Sequence, residues 1–336
     1  MKKISIMLTS YNLEGYIDTS LSSIVNQEFP CEWELLIGDD GSTDKTIEKV
    51  NNWVNKYPKN IHLFQWSKDE THSMNGFRAA ANRAKLLERA TGDYLIFLDG
   101  DDCWLGTEKL KIQYEYLERP EYSNCSCCGH NIYKYNVEIK KGFNMVDSRY
   151  QKRVFSKTDY YRHGMYIHTN TLLFRSSCRE LMLDSLYKVF LNDIFITFCM
   201  LQFGNMLYLP ESYAKYNITG SGLWTGGNRV YGRFRNLHIY DLERYIDPNL
   251  EPLIFRGACS NMEVILNEYT KDDIPQIQPL VEGLDPKIFV YTLRMFNITN
   301  KSDENSFFRK ILKRRIFLAK INYKLFSIKR SLHLIR

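Results

Sequence analysis

Two rhythms of hydrophobic and polar residues run through the first hundred positions. Ile4–Leu8 is a short apolar run, and after it Ile17, Leu21, Ile24 and Val25 recur at helical spacing. Trp33–Ile37, Ile61–Trp66 and Tyr94–Leu98 are further apolar runs, too short for globular helices, and each predicts a buried strand. Between them Ile47, Val50 and Val54 mark one helix face, which Ser42 or Thr43 can cap. An alanine-rich helix is predicted from about Gly76 to Ala90, closed by Gly92. Strands separated by helices of this length imply parallel βαβ units, hence an α/β sandwich of three layers. After residue 103 the alternation stops: Thr107–Leu117 and Ser185–Phe203 read as helical, Ser123–Tyr133 and Thr169–Phe174 as short strands. From about 230 to 300 the pattern is helical and irregular, punctuated by Pro248, Pro252, Pro275, Pro279 and Pro286.

Three polar clusters follow the predicted parallel strands: Thr9-Ser10-Tyr11-Asn12, Asp39-Asp40-Gly41-Ser42 and Asp99-Gly100-Asp101-Asp102. The carboxyl ends of such strands are where open α/β sheets bind ligands, and three clusters on one rim suit a nucleoside diphosphate. Tyr11 offers a flat face for a base, and Asp39 or Asp40 can accept from base or ribose donors. Crowded carboxylates call for a cation, and hard oxygen ligands favour Mg²⁺ or Mn²⁺, which bridge to substrate phosphates.

These motifs resemble the family 2 glycosyltransferases with the GT-A fold, bacterial members that build surface polysaccharides above all. The resemblance rests on Thr-Ser-Tyr-Asn at 9–12, Gly-Asp-Asp-Gly-Ser-Thr-Asp at 38–44 and Gly-Asp-Tyr-Leu-Ile-Phe-Leu-Asp-Gly-Asp-Asp at 92–102, and it covers about residues 1–225. It implies a Rossmann-like, mostly parallel sheet flanked by helices. It also implies a nucleotide-sugar-binding half at 1–105, an acceptor-binding half at 106–229, a helical extension at 230–300 and a basic amphipathic tail at 301–336.

By the same resemblance Thr9, Tyr11, Asn12, Asp39, Asp40 and Asp99 serve the nucleotide, with Asp99 near ribose or metal, and Asp101 coordinates the divalent ion. Asp193, in Leu191-Asn192-Asp193-Ile194, corresponds to the catalytic base, although Asn192 and Asp193 also suit a helix N-cap. His168-Thr169-Asn170-Thr171 falls where related enzymes place acceptor-side residues beside the donor sugar, with His168 either in the site or a structural histidine. Trp224 closes a lid-like segment that begins at Lys215. Asn217 and Thr219 stand where the family often has Arg and His, and Ala81 stands where it often has Arg. Arg78, Arg83, Lys215 and Arg229 are the cations available to replace that charge. The implied reaction is an inverting transfer from a nucleotide-sugar, most simply a UDP-sugar, to a hydroxyl of a growing, lipid-linked oligosaccharide.

Composition narrows this further. Of 336 residues 44% are hydrophobic and 25% charged, ordinary for a folded chain. No apolar run approaches the roughly 20 residues of a membrane span, and the apolar start after Met1-Lys2-Lys3 stops too soon for a signal peptide, so a cytoplasmic chain is expected. Cys125-Ser126-Cys127-Cys128-Gly129-His130 lacks a second ligand pair and reads as reduced thiols on a buried strand rather than a zinc grip.

The net charge of +6 belongs to the end of the chain, because residues 301–336 carry 11 Lys/Arg against 2 Asp/Glu. Phe308, Ile311, Leu312 and Leu318 interleave with these cations, as in a helix lying on an anionic membrane surface at the inner face of the cell membrane; packing on its own domain or a second subunit is the alternative. Confinement of the basic charge to the tail argues against a nucleic-acid-binding protein. A sugar-phosphate nucleotidyltransferase would carry a Gly-rich, Arg-containing loop after the first strand, which Thr9–Glu14 lacks.

Overall fold

The computed structural model describes residues 2–66, 77–147, 150–184, 191–220, 229–268, 270–273 and 275. The chain divides into two compact units, Met1–Lys157 with Tyr166–Gly220, and Thr158–Met165 with Ser221–Arg336.

The first unit is built on one sheet of β1 (Lys3–Ser10), β2 (Glu32–Asp39), β3 (Ile61–Gln65), β4 (Tyr94–Asp99), β5 (Cys103–Trp104), β6 (Cys125–Asn136), β7 (Lys141–Asn144), β8 (Arg153–Phe155), β9 (Leu173–Arg175) and β10 (Asn205–Ile218). Their order is β3-β2-β1-β4-β9-β6-β10-β5, with β7 beside β6 and β8 beside β10. The block β3-β2-β1-β4 is parallel throughout. Short β9 runs antiparallel to both β4 and β6, and β6 pairs in parallel with β10. Two parallel blocks are thus joined through one short reversed strand.

Ile4, Ile6, Met7 and Leu8 have no exposed surface although successive side chains point to opposite faces, so both faces of β1 are covered. The cover comes from α1 (Ile17–Val25), α2 (Thr46–Lys56), α3 (Phe77–Arg89) and α4 (Lys109–Glu118). Of these α3 packs on β1 and β2, and α4 on β6. The βαβ alternation expected from the hydrophobic pattern is therefore present, with strand and helix ends within a few residues of expectation.

Local chemistry departs from expectation at three places. Neither Ser42 nor Thr43 caps α2: the helix begins at Thr46, whose amide donates to Asp44 Oδ1 at 3.0 Å. Thr169–Phe174 is not one strand, because Thr169–Thr171 winds into a 3-10 turn before β9. Lys215–Ile218 is the end of β10 rather than the start of a loop. Cys125, Cys127 and Cys128 are free thiols buried on β6, as expected.

Further along the chain lie α5 (Lys157–His163), α6 (Arg179–Met182), α7 (Asp193–Phe203), α8 (Arg229–Ile246) and α9 (Glu251–Glu268). Helix α7 is apolar all round, with Phe195, Ile196, Phe198, Cys199 and Met200 wholly buried, as befits a helix inside the core. In the second unit α8 packs on α9. Gly257 permits the contact, since a Cβ there would meet the Tyr240 ring at 2.7 Å. Asn236 donates across to Asn261 at 3.1 Å. Trp224, residues 185–190 and the basic tail lie outside the described residues. No helix among the described residues is long and apolar enough to cross a membrane.

Candidate functional site

Parallel pairing sets the rim. Thr9 lies opposite Asp99 and Ser10 opposite Asp39, so the ends of β1, β2 and β4 finish side by side. Asp39 and Asn12 are spent on building this rim. Asp39 accepts from the Gly41 and Ser42 amides at 3.1 and 2.7 Å and from the Ser42 hydroxyl at 2.6 Å. Asn12, at a φ of 52°, accepts through its side chain from the Thr43 amide at 2.8 Å. Tyr11 and Asp40, beside them on the same rim, instead meet Arg78. Tyr11 is 41% exposed, and the Arg78 guanidinium lies 4.7 Å from its ring centre. Arg78 also donates to the Asp40 carbonyl at 2.7 Å and pairs with Asp40 Oδ2 at 2.8 Å, while Asp40 Oδ1 is buried without a hydrogen-bond partner among the described residues.

The acid cluster after β4 turns sharply at Gly100, where a Cβ would meet the Thr9 carbonyl at 2.9 Å. Asp99 Oδ1 accepts from Thr9 at 2.9 Å and from Arg83 at 2.7 Å, which leaves its other oxygen without a hydrogen-bond donor among the described residues. Asp102 is buried, accepting from the Asn217 amide at 2.8 Å and from the Asn170 side chain. Asn217 also donates to the Asp101 carbonyl at 2.6 Å, so this Asn braces the acid loop where the resemblance expected a cation. Burial, then the charge of Asp99, raises the Asp101 carboxyl to about 6. Burial, then Asp101 and Asp99, raises Asp102 well above the usual range.

Carboxyls crowded in this way, two of them raised by burial and by their neighbours, are chemically suited to a divalent cation. Among the described residues the trio able to hold a metal ion is Asp99, Asp102 and His168, with ligand atoms within 4.8 Å of one another. Asp101, the ligand implied by the resemblance, is outside that trio, and His168 is inside it.

Asp193 forms a second acid centre. Asn192 is the N-cap of α7, its side chain accepting from Ile194 and Phe195 at 3.0 and 3.1 Å, which frees Asp193 for other partners. The Asp193 carboxylate accepts from the Tyr166 hydroxyl and from Thr169 at 2.7 Å, and His168 Nε2 lies 3.9 Å away. Burial pushes this carboxyl up, but His168, Arg83 and the two hydroxyl donors outweigh it and hold the group below its ordinary value. The His168 ring accepts at Nδ1 from the Asn170 amide at 3.3 Å, which turns Nε2 toward Asp193.

The 3-10 turn therefore serves both centres with consecutive side chains. His168 and Thr169 reach Asp193, and Asn170 reaches Asp102 and accepts from the Asp99 amide at 3.2 Å. Tyr166 had no sequence signal, while Thr169 and Asn170 entered only as part of the acceptor-side segment and Arg83 only as a spare cation, in a helix short of the family's usual Arg.

Known proteins share this fold and these motifs. The structure of residues 1–349 of Staphylococcus aureus TarS in complex with UDP-GlcNAc superposes with a TM-score of 0.61 at 15% identity, covering 98% of this chain and 92% of that one. The shared fold is GT-A. An uncharacterized glycosyltransferase of Haemophilus influenzae is 40% identical over 117 residues, 35% of this chain and 43% of that protein. The putative teichuronic acid biosynthesis glycosyltransferase TuaG of Bacillus subtilis is 36% identical over 114 residues, 34% of this chain and 41% of that protein. In both relatives the match spans less than half of the protein's own length. Residues 5–182, which carry the three strand-end clusters, Arg83 and the 168–171 turn, match Glycosyl transferase family 2, and the chain belongs to that family.

Proposed function

We propose that the chain is an inverting glycosyltransferase that moves a sugar from a UDP-sugar to a hydroxyl of a growing surface glycan carried on a lipid. The observation that carries this reading is the pair of distinct acid centres: a crowded cluster at the end of β4, and a lone carboxylate ringed by donors at the start of α7. Transfer from a nucleotide-sugar makes two demands of opposite kind. The acceptor hydroxyl is a weak nucleophile and needs a base, while the departing diphosphate needs its growing negative charge balanced.

Asp193 meets the first demand. Its partners are hydrogen-bond donors and nearby positive charge, so it is deprotonated at neutral pH and can take the hydroxyl proton as the new bond forms. Tyr166 and Thr169 fix the direction of its oxygens. The cluster meets the second demand: Asp99 and Asp102, with His168 in reach, would hold Mg²⁺ or Mn²⁺, which when bound supplies Lewis-acid charge for the leaving group. Tyr11 and Asp40 are the groups left to receive the nucleoside, the ring by stacking and the buried Asp40 oxygen as an acceptor. The TarS complex with UDP-GlcNAc, on the same fold, supports a uridine nucleotide, and the name of TuaG supports a cell-wall glycan as the product.

The test is a mass-spectrometric screen of nucleotide-sugars for hydrolysis and transfer with Mg²⁺ or Mn²⁺, followed by Asp193→Asn. The exchange keeps shape but removes proton affinity, so turnover falls about 10²-fold or more while nucleotide binding by calorimetry is unchanged. Loss of nucleotide binding in Asp193→Asn, or full turnover in excess chelator, would refute the assignment.

A further inference from the structure

Arg83 is a buried cation whose charge helps keep Asp193 ionised, but whose two-ended hydrogen bonding the reaction scheme above does not use. Its side chain leaves α3 and reaches two elements distant in sequence: one amino group donates to Asp99 Oδ1 at 2.7 Å, the other to the Leu191 carbonyl at 3.1 Å. Residue 191 immediately precedes the Asn192 cap and Asp193. The guanidinium thus ties the end of β4 to the backbone from which the base projects.

We infer that Arg83 is a positioning residue that fixes the separation between the two acid centres. A guanidinium suits the task because its planar fork offers two nitrogens in rigid, diverging directions, so two acceptors on different elements are held by one plane. Thr9 shares Asp99 Oδ1 with Arg83, so the pair also sets which Asp99 oxygen remains for a ligand. Tyr166 and Thr169 aim the Asp193 carboxylate, but both hold the side chain. Arg83 holds the main chain before the helix, and with it the place from which that carboxylate is aimed. A lysine at this position has one nitrogen and reaches one acceptor; the Asp99 ion pair is the stronger claim on it, so the Leu191 carbonyl is released.

The kinetic part of the test rests on the glycosyltransferase reading; the structural part does not. Arg83→Lys is compared with wild type by calorimetry of UDP with Mn²⁺, by turnover of the donor found in the screen, and by amide hydrogen exchange at Ile194, Phe195 and Ile196 without ligand. In Arg83→Lys, UDP affinity and donor KM stay within about 3-fold of wild type, while kcat falls about 10-fold or more because only the geometry of attack is lost. Exchange at the three amides rises about 10-fold with an unchanged urea midpoint, marking local opening at the start of α7. In Arg83→Ala, added guanidinium ion restores part of kcat, which no general loss of stability would allow. Equal kcat and equal exchange in Arg83→Lys would overturn the proposal. So would a loss confined to UDP affinity, which would make Arg83 a donor contact. If wild type turns over no nucleotide-sugar, the functional reading fails while the exchange experiment still decides the role of Arg83.

Discussion

Asn170 offers the most direct probe of how the acid cluster is held together. Its side chain is wholly buried, donates to Asp102 and accepts from the Asp99 amide at 3.2 Å. Asn170→Ala removes both contacts and leaves a void. Leaving the Asp102 oxygen and the Asp99 amide unsatisfied in the interior costs about 1–2 kcal/mol each. Loss of three buried heavy atoms adds about 1 kcal/mol of cavity cost at ~24 cal/mol per Å³. The expected total is about 3–5 kcal/mol, large against a typical stability of ~5–15 kcal/mol yet leaving a folded chain. Urea unfolding read by tryptophan fluorescence measures it, since Trp33, Trp53, Trp66 and Trp104 all lie in the first unit. The same titration with Mn²⁺ shows a stabilising shift in wild type, because a ligand of the native state raises apparent stability, and a smaller one in the variant, whose Asp99 and Asp102 are less well oriented. A loss below about 1 kcal/mol, against the hydrogen-bond values used here, would refute the reasoning.

Two further predictions concern groups that shape the first unit. Glu34 joins β1, β2 and the turn before β4 through Lys3 at 2.6 Å, Ser5 at 2.5 Å and the Thr91 amide and hydroxyl at 2.9 Å. Burial raises its carboxyl, but these donors outweigh burial and leave it below the ordinary value. Its contribution is therefore complete above the unfolded pKa of about 4.3 and is lost as pH falls through the lower folded value. Glu34→Gln should cost about 2–4 kcal/mol at pH 7, with the gap to wild type narrowing below about pH 4; an equal gap at pH 3 would contradict this.

Lys109 is buried, donates to Gln113 at 2.8 Å and lies 4.5 Å from the Trp104 ring centre, with burial driving its pKa well down. The unfolded chain binds more protons here, so wild type gains up to about 1.4 kcal/mol per pH unit between the folded value and ~10.4. Lys109→Met should be at least as stable as wild type at pH 7 and should lack this contribution, with the advantage closing by about pH 10; a clear loss at pH 7 would show that the Gln113 contact dominates.

The parallel half of the sheet was legible because β1, β2 and β4 are buried on both faces and so read as unbroken apolar runs ending in polar clusters. What their polar residues do was less legible. Ser42 has the chemistry of a helix cap but is claimed by Asp39, and a choice between two local partners depends on where the turn folds back. Thr169–Phe174 looked uniformly extended because Thr has strand propensity, yet the His168 carbonyl accepts from the Thr171 amide at 3.0 Å and winds the first half into a turn. Asn170 meets Asp102 across 68 positions and Arg83 meets Leu191 across 108, so no local spacing announces either contact. Asn217 looked like a lost cation; its amide and side chain instead brace the acids, a use of backbone geometry that residue type alone does not reveal.

The 3-10 turn at 169–171 has a consequence for how this chain can change over time. Neighbouring side chains of one turn are assigned to different carboxyl groups, so the segment behaves like a reading frame. A single inserted or deleted residue would hand each carboxyl group the wrong neighbour at once, with no partial version that keeps one centre intact. A substitution, by contrast, touches one assignment. Length should therefore be frozen here even where identity drifts, while the exposed hairpin that joins β6 to β7, around Ile139 and Lys140, is free to vary in both.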